Sequence, residues 1–140
     1  MKDLSPDFFF FETEGFSMWP SVKKGEKLIA KKASWEDLRP GDLVIYRAQN
    51  QIVVCHRLIK KDKLKELKLY CRGDASCAGP EEISFDACLG RVVGRVKNNR
   101  YIWSDGFGAR LGNRLAVFIM PIFAGFVRAL MKLRRHNVTF

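Results

Sequence analysis

The chain has 140 residues, enough for one domain with a hydrophobic core and short for two. Hydrophobic residues at 47% and charged residues at 29% exclude both an intrinsically disordered chain and a polytopic membrane protein. A formal net charge of +10 points to an acidic counterpart, whether nucleic acid, an anionic lipid surface or an acidic peptide, without choosing among them.

At the N-terminus, Lys2 is followed by Asp3 and Asp7, and the apolar run FFFF at 8–11 is too short for the core of a secretory signal. Neither a signal nor an N-terminal anchor is expected. Next comes GFSMWP at 15–20, where Ser17 stands between Phe16 and Met18, with Trp19 and Pro20 following. A small hydroxyl in such apolar company calls for an explanation.

From Glu26 to Val96 short runs rich in β-formers are punctuated by glycine: EKLIAKK, DLVIYRA, QIVVCHRLI, LKLYCRG and CLGRVVGRV. They predict a mainly β, antiparallel sheet folded into a small barrel or sandwich. Between the first two runs Ser34 can cap one short helical turn, which Pro40 and Gly41 stop. Asp42 is expected to close a turn through its side chain. In KKDKLKELKLY the leucines Leu64, Leu67 and Leu69 keep no steady helical spacing, so a hairpin with its tip near Asp62 and Lys63 is predicted. The lysine runs read as solvated faces.

Four cysteines, Cys55, Cys71, Cys77 and Cys88, lack the paired CxxC spacing of a zinc site, and only two histidines are available to complete one. No metal is expected. Their scatter through strands suits reduced thiols in a cytosolic protein, while a Cys55–Cys71 bridge stays open.

After the turn-rich link SDGFGARLGN comes LAVFIMPIFAGFVRALMKLRR, whose uninterrupted apolar stretch covers only 115–127 and contains Pro121. That falls short of the roughly 20 residues that cross a bilayer, and the proline is expected to kink a helix. Three readings stand: a helix packed on the sheet, an interfacial helix or docking element, and a tilted span. The basic residues Arg128, Lys132, Arg134 and Arg135 favour the second, with peripheral membrane contact through 114–135.

An activated serine needs a base, and His56 is the histidine inside the sheet region. Alternation in IVVCHRLI puts Ile52, Val54, His56 and Leu58 on one face and Val53, Cys55, Arg57 and Ile59 on the other. By itself His56 is either a satisfied core histidine or a placed base.

The ordered series GFSMWP, LRPGDLVIY, VVCHRLI, YCRGDA and LGRVVGRV resembles the catalytic domain of the signal peptidase I superfamily, over residues 15–96. The histidine where other members carry lysine resembles the endoplasmic-reticulum and archaeal type. The resemblance implies a compact antiparallel barrel-like domain at 1–112 with an apolar C-terminal helix at 113–140. It also implies a serine endopeptidase that cleaves a leader or signal-like segment from a partner polypeptide and needs no cofactor. Ser17 would be the nucleophile, His56 the general base and Asp74 the residue that orients His56 or braces the site. Glu81, Glu82 and Asp86 are the other candidates for the third member. Phe16, Met18, Trp19 and Pro20 would form an apolar shelf for substrate, and the backbone N–H of Ser17 would serve the oxyanion. Without an N-terminal anchor the enzyme is expected in the cytoplasm or at a membrane periphery.

Two other readings compete. One is an inactive basic β-barrel that binds nucleic acid or an anionic membrane surface, motivated by the charge alone. The other is a relative of the self-cleaving SOS repressors, which use lysine where His56 stands and need an upstream DNA-binding domain. On the peptidase reading the partner is a peptide or protein, and no nucleic acid is expected.

Overall fold

The computed structural model describes residues 5–104 and 107–136. Lys2 and Asp3, part of the signal-sequence reading, lie outside the described residues, as do the last four residues of the predicted 113–140 helix.

Among the described residues eight strands, one short 3-10 turn and one long helix follow in order: β1 (Phe8–Glu12), β2 (Lys27–Lys31), β3 (Leu43–Arg47), β4 (Val53–Asp62), β5 (Lys68–Arg72), β6 (Glu81–Ser84), the 3-10 turn (Phe85–Ala87), β7 (Cys88–Lys97), β8 (Arg100–Trp103) and α1 (Phe107–His136). The sheet is antiparallel, in the order β1-β2-β7-β3-β4-β5-β6, and β8 pairs with β7 off this path. It curls into a half-barrel. The five β-rich runs predicted from sequence are β2, β3, β4, β5 and β7.

Three strands escaped that reading for local reasons. In β1 four consecutive phenylalanines hide the two-residue alternation that marks a half-buried strand. Strand β6 is four residues long and begins with two glutamates, which are poor strand formers. Strand β8 follows Asn98 and Asn99, both at positive φ (51° and 57°), the conformation of a two-residue hairpin turn that matches strand twist.

The β4–β5 hairpin turns after Asp62, as predicted. The segment after Ser34 is a hydrogen-bonded turn, in which Ser34 N and Oγ both donate to Asp37 Oδ2. Asp42 closes its own turn by accepting from Arg39 N at 2.9 Å.

Both sheet faces are covered by apolar packing. Leu28, Ala30, Leu43, Ile45 and Cys55 form one cluster with Met18 and Val22. Val44, Tyr46, Leu58, Leu69, Cys71 and Ile83 form the other, which Leu38 completes. Alternation along β3 and β4 sends neighbouring residues into different clusters. Cys55 and Cys71 thus occupy opposite clusters, and both are free thiols. Burial pushes the Cys55 thiol up to about 12, so it packs as a small hydrophobe.

Helix α1 starts six residues before the predicted boundary at 113 and runs unbroken through Pro121. The helical segment Leu111–Arg134 is long and apolar enough to cross a membrane by length and composition, unlike the shorter 115–127 stretch read from sequence. The helix gains this length because Arg114 and Arg128 punctuate the apolar run without ending it. Its first half docks on the domain. Gly41 has φ +100°, and a Cβ there would stand 2.6 Å from backbone atoms of Asn113 and Arg114, so only glycine lets α1 come this close. Further along, the Trp19 and Phe123 rings lie 5.7 Å apart.

Candidate active site

Two loops and strand β4 meet at Ser17. The segment carrying it is pinned from below by Met18, which is 3% exposed and sits in the core beside Val22. Trp19 N donates to Phe16 O and Val22 N to Met18 O, so the chain coils tightly around the serine. Ser17 itself is exposed. The loop after β5 closes from the side: Ala75 N donates to Ser17 O at 2.9 Å, and a Cβ on Gly73 would lie 2.6 Å from that same oxygen. Glycine at 73 is therefore a packing requirement.

Strand β4 brings His56 to this point, with Nε2 at 3.2 Å from Ser17 Oγ. The other ring nitrogen, Nδ1, lies 2.9 Å from the hydroxyl of Tyr46, and that hydroxyl donates to Glu81 Oε2 at 2.8 Å. Tyr46 has a single hydroxyl hydrogen, and a carboxylate can only accept. With that hydrogen committed to Glu81, Tyr46 accepts from Nδ1–H, and Nε2 is left with a lone pair directed at Ser17. A chain of four side chains, Glu81–Tyr46–His56–Ser17, fixes the tautomer that can take a proton from the serine.

The electrostatics agree with that assignment. Burial holds the His56 pKa below its usual value, and the negative charges of Glu81 and Asp74 oppose this in part. At neutral pH the imidazole is therefore uncharged and basic. Burial and the bond to Glu81 push the Tyr46 phenol far upward, so it stays protonated.

Asp74 is placed elsewhere. Its carboxylate takes a two-pronged bond from Arg57, Nε to Oδ1 at 2.7 Å and Nη2 to Oδ2 at 2.6 Å. Both side chains are almost fully buried, at 3% and 2% exposure. Arg57 uses its remaining hydrogens on Gly41 O at 2.8 Å, Ser21 Oγ at 3.1 Å and, on α1, Asn113 Oδ1 at 3.5 Å. Of the two roles expected for Asp74, orienting His56 or bracing the site, the geometry shows the brace. Arg57 is the next residue to His56 on β4, so alternation turns it to the opposite face and away from the imidazole. The other acidic candidates divide clearly. Glu81 reaches His56 through Tyr46, Glu82 bonds Lys68 and Tyr70, and Asp86 is exposed after β6.

Of the expected apolar shelf, Phe16 and Trp19 are exposed at 64% and 41%, whereas Met18 is buried and holds the segment from inside. Met18 still reaches the wall of a cleft of about 390 Å³ beside Ser17, whose other walls are 11–15 of the β1 end and 52–55 of the β4 start. Pro20 lines a separate depression and stays away from this cleft.

Tyr46 and Arg57 are the residues that sequence reasoning did not assign. A signal for Tyr46 existed. Val44 pairs with His56 across the β3–β4 hairpin, so Tyr46, two positions on, shares the face of His56 and lies diagonal to it. A phenol predicted inside a sheet core needs a hydrogen-bond partner, and His56 is the polar group in reach.

Among the described residues no group of three or more His, Cys, Asp or Glu side chains is arranged to hold a metal ion. Comparison with protein-family models, curated proteins and solved structures finds no match to this chain.

Proposed function

We propose that this protein is a serine endopeptidase of signal-peptidase type that removes a leader or signal-like segment from a partner polypeptide. One observation carries the reading: Ser17 Oγ lies 3.2 Å from an imidazole nitrogen whose lone pair is oriented by a Tyr46–Glu81 relay on the far side of the ring. A core histidine satisfied for structural reasons has no need of an exposed serine as its second partner.

The chemistry follows from the positions. Ser17 Oγ attacks the scissile carbonyl carbon while His56 Nε2 takes its proton; the carbonyl oxygen becomes an oxyanion, for which the backbone N–H of Ser17 is the proposed donor. Collapse expels the amine, which receives the proton from His56, and leaves an acyl ester on Ser17. Water then adds with His56 again as base, and the ester breaks to free the acid and the serine. The imidazolium formed in each step is stabilised through Tyr46 by the Glu81 charge.

The substrate's path is suggested by unused strand edges. β1 is the last strand of the sheet path, and β4 pairs with β5 only from Arg57 onward, leaving 53–55 bonded on the β3 side. These two edges flank the cleft, so an extended peptide can bond to backbone there and place an apolar side chain against Met18 and Val53.

The reading is tested by incubating the full chain with a peptide library and locating new termini by mass spectrometry. Wild type is expected to cut a restricted set of bonds, and Ser17→Ala none of them. Undiminished cleavage by Ser17→Ala would remove the proposal. A pH series adds a second check. The neutral imidazole is the active form and its pKa is lowered, so kcat/KM should be flat through neutrality and fall on acidification through a pKa below 6.5. An acid limb above 6.5 contradicts the assigned environment of His56.

A further inference from the structure

We infer that the outward face of α1 lies flat on an anionic lipid surface and does not cross the bilayer, a property that goes beyond the peptidase reading and does not depend on it. The argument begins with which helix residues are covered. Ala116 and Ala124 are buried, and Asn113, Val117, Met120 and Val127 are half-buried, all on one helical stripe that faces the domain. From Arg128 to Arg134 every residue is exposed.

The domain is thus attached to the middle of the apolar segment. The centre of Leu111–Arg134 falls at Ile122 and Phe123, and Phe123 packs on Trp19, two residues from Ser17. A span centred there would carry Trp19, Ser17 and the buried Arg57–Asp74 pair to the depth of the hydrocarbon. The free part beyond Val127 cannot cross alone, since its nine helical residues reach only about 14 Å of a roughly 30 Å core.

What remains is a second stripe that points away from the domain. Leu115, Phe118, Ile119, Ile122, Phe126 and Leu130 recur at three- and four-residue spacing and are 51–74% exposed. Arg114, Arg128 and Lys132 are exposed too, and their spacings of fourteen and four residues bring them into one row along the border of that stripe. Large apolar side chains flanked by a basic row on a docked helix match an interface with lipid acyl chains below and acidic headgroups beside. The net charge of +10 adds long-range attraction of the same sign. A second copy of this chain, equally basic, would set like charges against each other.

The test is co-sedimentation of the full chain with vesicles of mixed phosphatidylcholine and phosphatidylglycerol, and with vesicles of phosphatidylcholine alone. Wild type is expected to bind the anionic vesicles at least tenfold more tightly, and Phe118→Glu/Ile122→Glu to lose about 100-fold in affinity with an unchanged circular dichroism spectrum. Arg128→Glu/Lys132→Glu, beyond the docked part, should abolish the preference for anionic lipid, and Ser17→Ala should bind like wild type. Binding insensitive to both double variants overturns the inference. So does a lipid-free dimer that Phe118→Glu/Ile122→Glu dissolves, or resistance of membrane-bound protein to alkaline extraction, which would mark a span.

Discussion

Asp74→Asn is expected to lower the stability of the domain by about 3–5 kcal/mol, read from urea unfolding followed by tryptophan fluorescence. Asparagine keeps the shape of the carboxylate and removes its charge, leaving the Arg57 guanidinium buried at 3% side-chain exposure with no counter-ion. The loss is large because so many parts meet there. Arg57 joins β4 to the Gly41 turn, to Ser21 four residues beyond Ser17 and to Asp74 in the loop that also bonds Ser17 O. Weakening this node should loosen both loops that hold Ser17, and activity should fall with stability. Asp74 makes no hydrogen bond to His56, so the ring tautomer should be kept in the folded fraction. The Asp74 charge raises the His56 pKa, so its loss should move the acid limb to lower pH. Replacing both partners, as in Arg57→Met/Asp74→Leu, should recover much of the lost stability, because the cost arises from an uncompensated charge. A change under about 1 kcal/mol in Asp74→Asn, or a mixture of His56 tautomers in its folded fraction, would instead give Asp74 the orienting role.

What the sequence made legible follows from the range over which each feature is encoded. Strands β2, β3, β4, β5 and β7 announce themselves through β-branched runs between turn residues, which are local signals. The same is true of the Asp62 hairpin tip and the Asp42 turn. The meeting of Ser17 with His56 across 39 positions could be expected only because the ordered series of short motifs resembles a known catalytic domain. Periodicity does not encode such a distance. The third member illustrates the limit. Asp74 sits in a Gly-Asp pair on the loop beside Ser17 and looked suited to His56, but strand alternation gives it to Arg57 instead. Glu81 becomes relevant only when the β5–β6 hairpin sets Glu81 opposite Cys71 and under the Tyr46 hydroxyl. The helix shows another limit: charge and proline divide its apolar sequence, yet the helix continues past both.

Tyr46→Phe is expected to cut kcat/KM by about 10²- to 10⁴-fold, the span of a general-base contribution, while the fold persists. The variant removes one oxygen from a residue that is otherwise fully buried, so the ring packing among Val44, Leu58 and Leu69 is kept. What disappears is the acceptor for His56 Nδ1–H and the link that passes the Glu81 charge to the imidazole. Freed of that bond, the neutral ring can carry its hydrogen on Nε2, where it blocks proton transfer from Ser17. Nitrogen chemical shifts of His56 report this directly: a single Nδ1–H tautomer in wild type, a mixture in Tyr46→Phe. Glu81→Gln separates charge from geometry, since the amide oxygen can still accept from Tyr46. Because the Glu81 charge raises the His56 pKa, removing it should move the acid limb to still lower pH, with a smaller loss of rate than Tyr46→Phe. A residue that merely filled space would alter neither the tautomer nor the limb. Wild-type turnover and an unchanged tautomer in Tyr46→Phe would confine the catalytic unit to Ser17 and His56 and leave the Tyr46–Glu81 bond as packing of a buried phenol.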